Sequence, residues 1–154
     1  MTTASRLSLY LPSDSATDAL GRLMAPELVP GDTVLLTGPI GAGKSHLSRA
    51  IIRARLGRTE DVPSPTFTLV QTYDDPAGDI WHADLYRLSH PDEVLELGLE
   101  DAFPTAICLI EWPDRLGAHM AQDAITVSLD PEGDGRRALI SFNNRPRLAR
   151  ALDA

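Results

Sequence analysis

Thr33-Val34-Leu35-Leu36-Thr37-Gly38-Pro39-Ile40-Gly41-Ala42-Gly43-Lys44-Ser45 is the stretch whose reading decides the fold. Its first five residues form a short apolar run between Asp32 and Gly38, the composition of a strand buried on both faces. Gly38 to Ser45 then satisfies the pattern G-x-x-x-x-G-K-[ST] at every specified position. From Lys44 to Leu56, the residues Leu47, Ala50, Ile51 and Ala54 recur at helical spacing, and Gly57 supplies a C-terminal stop. Strand, glycine loop and helix follow one another without a gap.

That order has a chemical purpose. Glycines let the backbone turn so that its N–H groups converge on one anion site, and the next helix aims its positive N-terminus at the same point. Gly38, Gly41, Ala42, Gly43, Lys44, Ser45 and His46 are therefore the expected nucleotide-binding residues, with Lys44 on the β and γ phosphates and the Ser45 hydroxyl on Mg²⁺. Four specified positions coincide by chance in fewer than about one chain in a hundred of this size. Lys44 is also the only lysine, beside 13 arginines. A chain that uses arginine for every other cation keeps a compact, point-like ammonium where phosphate oxygens would meet it.

Outward from the loop, strands and helices alternate. Ser5 to Leu11 puts Leu7, Leu9 and Leu11 on one strand face, and Ser13 or Asp14 can cap a helix that carries Ala16, Leu20, Leu23 and Met24 as far as Pro26 or Pro30. Phe67–Tyr73 and Ile80–Leu85 read as a hairpin around the turn sequence 74–79. A short helix starts near Pro91, with Val94, Leu95 and Leu97 turned inward. Ala106–Ile110 is a second buried strand, ending on Glu111-Trp112-Pro113, and Ile125–Leu129 pairs with Ala138–Phe142 around 131–135. The expected fold is α/β: a mainly parallel sheet flanked by helices, the loop at the carboxyl end of its strand, and antiparallel hairpins added. Residues 1–144 make one domain, and 145–154 form a short basic tail expected to be frayed.

Composition narrows the function. Hydrophobic residues make up 43% and charged residues 23% of 154 residues, the balance of a chain that folds unaided. Apolar runs are far shorter than the roughly 20 residues a bilayer-spanning helix needs, and the N-terminus lacks the apolar core of a signal peptide. One cysteine, Cys108, permits no intrachain disulfide and no cysteine-based metal site, which fits a reducing cytoplasm. A net charge of −8 argues against holding nucleic acid alone, since such affinity comes from Lys and Arg displacing counterions. Asp74 to Asp101 holds nine acids against one arginine, either a solvated face or a docking surface for a basic partner.

A base-reading N-K-x-D needs an asparagine before a lysine, and Gly43 precedes the only one, so adenine is the expected base and ATP the expected ligand. The D-x-x-G matches at Asp75–Gly78 and Asp130–Gly133 sit in turn sequence and read as chance. Two rival classes share the loop: a small-molecule kinase, and a binding module gated by nucleotide.

Three more segments carry a resemblance. Ser64-Pro65-Thr66-Phe67-Thr68-Leu69-Val70, His82-Ala83-Asp84-Leu85-Tyr86-Arg87 and Ile107-Cys108-Leu109-Ile110-Glu111-Trp112 follow the loop in the order and spacing of the TsaE (YjeE) family of bacterial ATPases. The likeness runs from about Leu9 to Leu129. No arginine finger is evident in the sequence, so turnover by the chain alone is expected to be slow and to depend on assembly. The resemblance implies a Mg-dependent ATPase whose hydrolysis drives a partner's cycle in threonylcarbamoyladenosine formation on tRNA, with TsaD and TsaB transferase subunits as partners and tRNA met only through them. It implies a catalytic set of Lys44, Thr66, Asp84 and Glu111, with Thr66 sensing the γ phosphate, Asp84 facing the nucleotide, and Glu111 at the Mg²⁺ beside Ser45. Either acid could orient the attacking water. Trp112 matches the family's tryptophan after that carboxylate, whereas Ser45 and Pro39 depart from a usual threonine and acidic residue. On its residues alone, His82 reads as a packed strand residue, Trp112 as core or function equally, and Arg87 as a contact to phosphate or to a partner.

Overall fold

The structure is a computed structural model that describes residues 4–57 and 69–153. Among the described residues seven strands form one sheet in the order β1-β7-β6-β2-β5-β4-β3. Their ranges are β1 Ala4–Leu11, β2 Thr33–Thr37, β3 Val70–Asp75, β4 Gly78–Asp84, β5 Ile107–Glu111, β6 Ile125–Glu132 and β7 Gly135–Asn143. The central neighbours β6-β2-β5-β4 run parallel, and the outer pairings β1–β7, β6–β7 and β3–β4 are antiparallel. All five residues of β5 are buried, as expected of a strand covered on both faces.

Alternation along the central strands divides the core in two. Val34 and Leu36 of β2, with Ile80, Ile107 and Leu109, meet α1 (Asp14–Met24), α2 (Lys44–Leu56) and α5 (Pro146–Asp153). Leu35, Cys108 and Ile110 instead face Val94 of α3 (Glu93–Leu97), Leu99 of α4 (Leu99–Ala102) and Leu116. The period-two rule therefore puts His82 and Asp84, two and four residues after Ile80, and Glu111, two after Leu109, on the face that α2 covers. Cys108 is wholly buried, and loss of solvation pushes its thiol up to about 12 against a weaker opposing bond from Thr33.

Local chemistry explains the boundaries. Ser13 caps α1 by accepting from the Ala16 amide at 3.3 Å, and Gly57 ends α2 in the left-handed region at φ 70°. Arg55, near the end of α2, donates to the carbonyls of Ala25 and Leu28 and reaches Asp75 at 2.6 Å, tying α2 to the α1 exit and the β3–β4 hairpin.

Several expectations need correction. The tail is not frayed: α5 buries Leu148 and Leu152, four residues apart, at about 1.5–3 kcal/mol each, enough to hold down a helix too short to persist alone. Leu23 is 44% exposed because the buried stripe of α1 is Thr17, Leu20, Gly21 and Met24, and Leu23 falls beside it. Leu95 is 52% exposed because a five-residue helix offers one inward line, taken by Val94 and partly by Leu97. The hairpin loops are tighter than their turn-rich sequences suggest, since the registers Asp75↔Gly78 and Glu132↔Gly135 leave only Pro76-Ala77 and Gly133-Asp134 outside the ladders. The Phe67 and Thr68 portion of the third expected strand lies outside the described residues.

Candidate functional site

The glycine loop joins β2 to α2 at the carboxyl ends of adjacent parallel strands. Leu36 of β2 pairs with Glu111 of β5, and Glu111 pairs with Asp84 of β4, so both acids sit level with the loop on neighbouring strand ends. Gly43 enters α2 at φ 104° and lacks a side chain to cap the helix, which leaves the first amides of α2 directed at the cleft. Gly38, at φ 139°, lies against β6 so closely that an added Cβ would stand 2.2 Å from the Leu129 carbonyl oxygen. Ala42 is buried in the core beneath the loop.

Lys44 is 5% exposed. Its ammonium donates to the carbonyls of Gly38 and, at 3.3 Å, Pro39, and sits 3.7 Å from the centre of the Trp112 ring. Tyr86 packs against the same indole, its ring tilted by 49° with centroids 5.0 Å apart, and Trp112 holds a left-handed φ of 58°. Burial lowers the Lys44 pKa, while Glu111, Asp84 and Asp114 oppose that shift.

Ser45 donates its hydroxyl to one Glu111 oxygen at 2.8 Å, and the other Glu111 oxygen lies 2.6 Å from His82 Nε2. Asp84, 7% exposed, accepts from the Tyr86 amide at 3.1 Å. His46 lines the cleft and pairs with Asp18 at 2.8 Å. The cleft holds about 400 Å³, and Arg49, Tyr86 and Arg87 complete its wall.

Among the described residues no three His, Cys, Asp or Glu side chains gather into a metal cage. Ser45 and Glu111 instead offer two hard oxygen donors side by side, the partial set a small divalent cation takes together with phosphate oxygens.

Lys44, Ser45, Asp84 and Glu111 thus come together, while Thr66 lies outside the described residues. Sequence reasoning missed the bond from His82 to Glu111 and the seat of Lys44 on Trp112. The i, i+2 spacing of His82 and Asp84 was the available signal, since polar residues on the buried face of an otherwise apolar strand each need a hydrogen-bond partner.

A family model described as threonylcarbamoyl adenosine biosynthesis protein TsaE matches residues 11–139. The chain belongs to the TsaE family. A Rickettsia felis protein named tRNA threonylcarbamoyladenosine biosynthesis protein TsaE is 40% identical over 136 residues, covering 88% of this chain and 80% of that one. A Haemophilus influenzae protein of the same name is 36% identical across 84% of this chain and 85% of its own length. The crystal structure of Bacillus subtilis YdiB matches with a TM-score of 0.80 at 25% identity, over 98% of this chain and 96% of the other. The TsaE match takes in the loop, both acids and the entire cleft, and stops before α5. Among the described residues no helix is long and apolar enough to cross a membrane.

Proposed function

We propose that this cleft binds ATP with Mg²⁺ and hydrolyses it slowly, and that hydrolysis drives repeated threonylcarbamoyladenosine formation on tRNA by TsaD and TsaB transferase subunits. The observation that carries the reading is the Ser45–Glu111 oxygen pair, 2.8 Å apart, at the mouth of a complete phosphate loop with Lys44 buried beside it. Lys44 and the loop amides from Gly41 to His46 hold the phosphates. Ser45 and Glu111 hold the cation. When bound, Mg²⁺ neutralises charge on the β and γ oxygens.

Both Glu111 oxygens already face a partner, Ser45 on one side and His82 on the other, which suits a fixed ligand better than a base. Asp84, on the neighbouring strand end in the wall of the same cleft, orients the attacking water, and Thr66 registers the γ phosphate. Arg49 and Arg87 line the cleft, but a net charge of −8 leaves the chain poorly suited to grip tRNA itself.

The test is phosphate release from ATP by the chain alone, then with TsaD, TsaB and tRNA, alongside the yield of modified tRNA over many turnovers. Free phosphate should appear slowly alone and several-fold faster with the subunits, and yield should pass one turnover only when this chain is present. Transfer of the phosphoryl group to a small acceptor would instead identify a kinase, and equal yields with and without the chain would end the proposal.

The state of Lys44 adds a pH prediction. Its ammonium is present below its pKa, and burial brings that pKa below the ordinary 10.5. ADP affinity should therefore be full at neutral pH and fall as pH rises, with the fall beginning below 10.5. Calorimetric titration across the alkaline range checks this; affinity that stays flat through 10.5 contradicts it.

A further inference from the structure

His82 is wholly buried in β4, yet among the described residues it is the one imidazole that meets the candidate cation pair. Register places it opposite Leu109, so its ring reaches diagonally along the sheet face to Glu111, two residues farther on. Its Nε2 lies 2.6 Å from one Glu111 oxygen, and its Nδ1 has no hydrogen-bond partner among the described residues. A buried N–H without an acceptor loses its water bonds and gains nothing in exchange. The proton of the neutral ring accordingly belongs on Nε2, where it is donated to Glu111, and Nδ1 keeps only a lone pair.

That arrangement leaves Glu111 little freedom. One carboxylate oxygen is held by His82 from inside the sheet, and the other is turned to the Ser45 hydroxyl at 2.8 Å. We infer that His82 is a positioning residue: it fixes the Glu111 carboxylate in the orientation that keeps its outer oxygen beside Ser45, so that the cation-binding pair exists before ligand arrives. The inference rests on the Mg-nucleotide reading of the cleft. Without the inner bond the carboxylate can rotate away from Ser45, and affinity for the cation falls while the phosphate contacts of Lys44 and the loop remain.

The experiment measures ADP binding by calorimetry at several Mg²⁺ concentrations and in EDTA, for the parent, His82→Leu and His82→Gln. Leucine fills similar space without a donor, whereas the glutamine amide extends about as far as the imidazole Nε2. The Mg²⁺ concentration needed for half-maximal enhancement should rise about 10–100-fold in His82→Leu, return close to the parent in His82→Gln, and leave EDTA affinity unchanged in both. Should the leucine variant fail to fold, His82→Asn, whose amide stops at the Nδ1 position, replaces it with the same expected rise. A parental Mg²⁺ requirement in the leucine or asparagine variant overturns the role of His82 alone. A parent whose ADP affinity ignores Mg²⁺ overturns the cation reading of the cleft and this inference with it.

Discussion

Replacing Lys44 with alanine should weaken binding of Mg-nucleotide on the order of 10²- to 10³-fold. Truncating one member of a buried, hydrogen-bonded charge pair costs about 2–5 kcal/mol, and each 1.4 kcal/mol is tenfold in affinity. No second lysine exists to substitute, and the amino group lies at the loop itself, bonded to Gly38 and Pro39. Alanine is a strong helix former, so α2 should persist and far-ultraviolet circular dichroism should be unchanged. In the tRNA assay this variant should stop repeated modification although a complex with the transferase subunits still forms. Parental ADP affinity in Lys44→Ala would mean that phosphates do not bind at this loop.

A substitution of one methyl group at Gly38 should do comparable damage to the fold itself. The added Cβ would stand 2.2 Å from the Leu129 carbonyl oxygen, and φ of 139° suits few side chains. Backbone meets backbone there, so no side chain can swing aside, and the loop must separate from β6. A destabilisation of about 3–5 kcal/mol is expected for Gly38→Ala, at the severe end for single substitutions. For a chain of this size that lowers the melting temperature on the order of 10 °C. Gly41 provides the contrast: its φ is 82°, but nothing lies within 4 Å of an added Cβ, so Gly41→Ala should cost only about 1 kcal/mol. Equal melting temperatures for the two variants would show that the contact with β6 does not constrain the loop.

What could be read from the sequence follows from how local each signal is. The loop, β2 and α2 were legible to the residue because glycine, lysine and periodic apolar residues act within a few positions of one another. Glu111 was legible as a strand end and Asp84 as the residue before one, and register then set them side by side. The bond between His82 and Glu111 spans 29 positions, and a lone histidine in an apolar strand gives no hint of which distant carboxylate it will face. Trp112 over Lys44 depends on a left-handed backbone that no local pattern announced. The error at the tail was of another kind. Pro146, Leu148 and Leu152 are a helix start and an i, i+4 pair, but charge around them masked an apolar stripe too short to stand out.

Cys108 lends the folded chain a practical property. Alkylating reagents attack the thiolate, and this thiol is both shut inside the central sheet and held near 12, so the native protein should be almost inert to maleimide and iodoacetamide. Modification then waits on the opening of β5, and its rate becomes an internal reporter of unfolding that needs no engineered probe. Conversely, a cysteine placed anywhere on the surface would be the single reactive thiol, ready to carry a fluorophore or a cross-linker without first clearing the background.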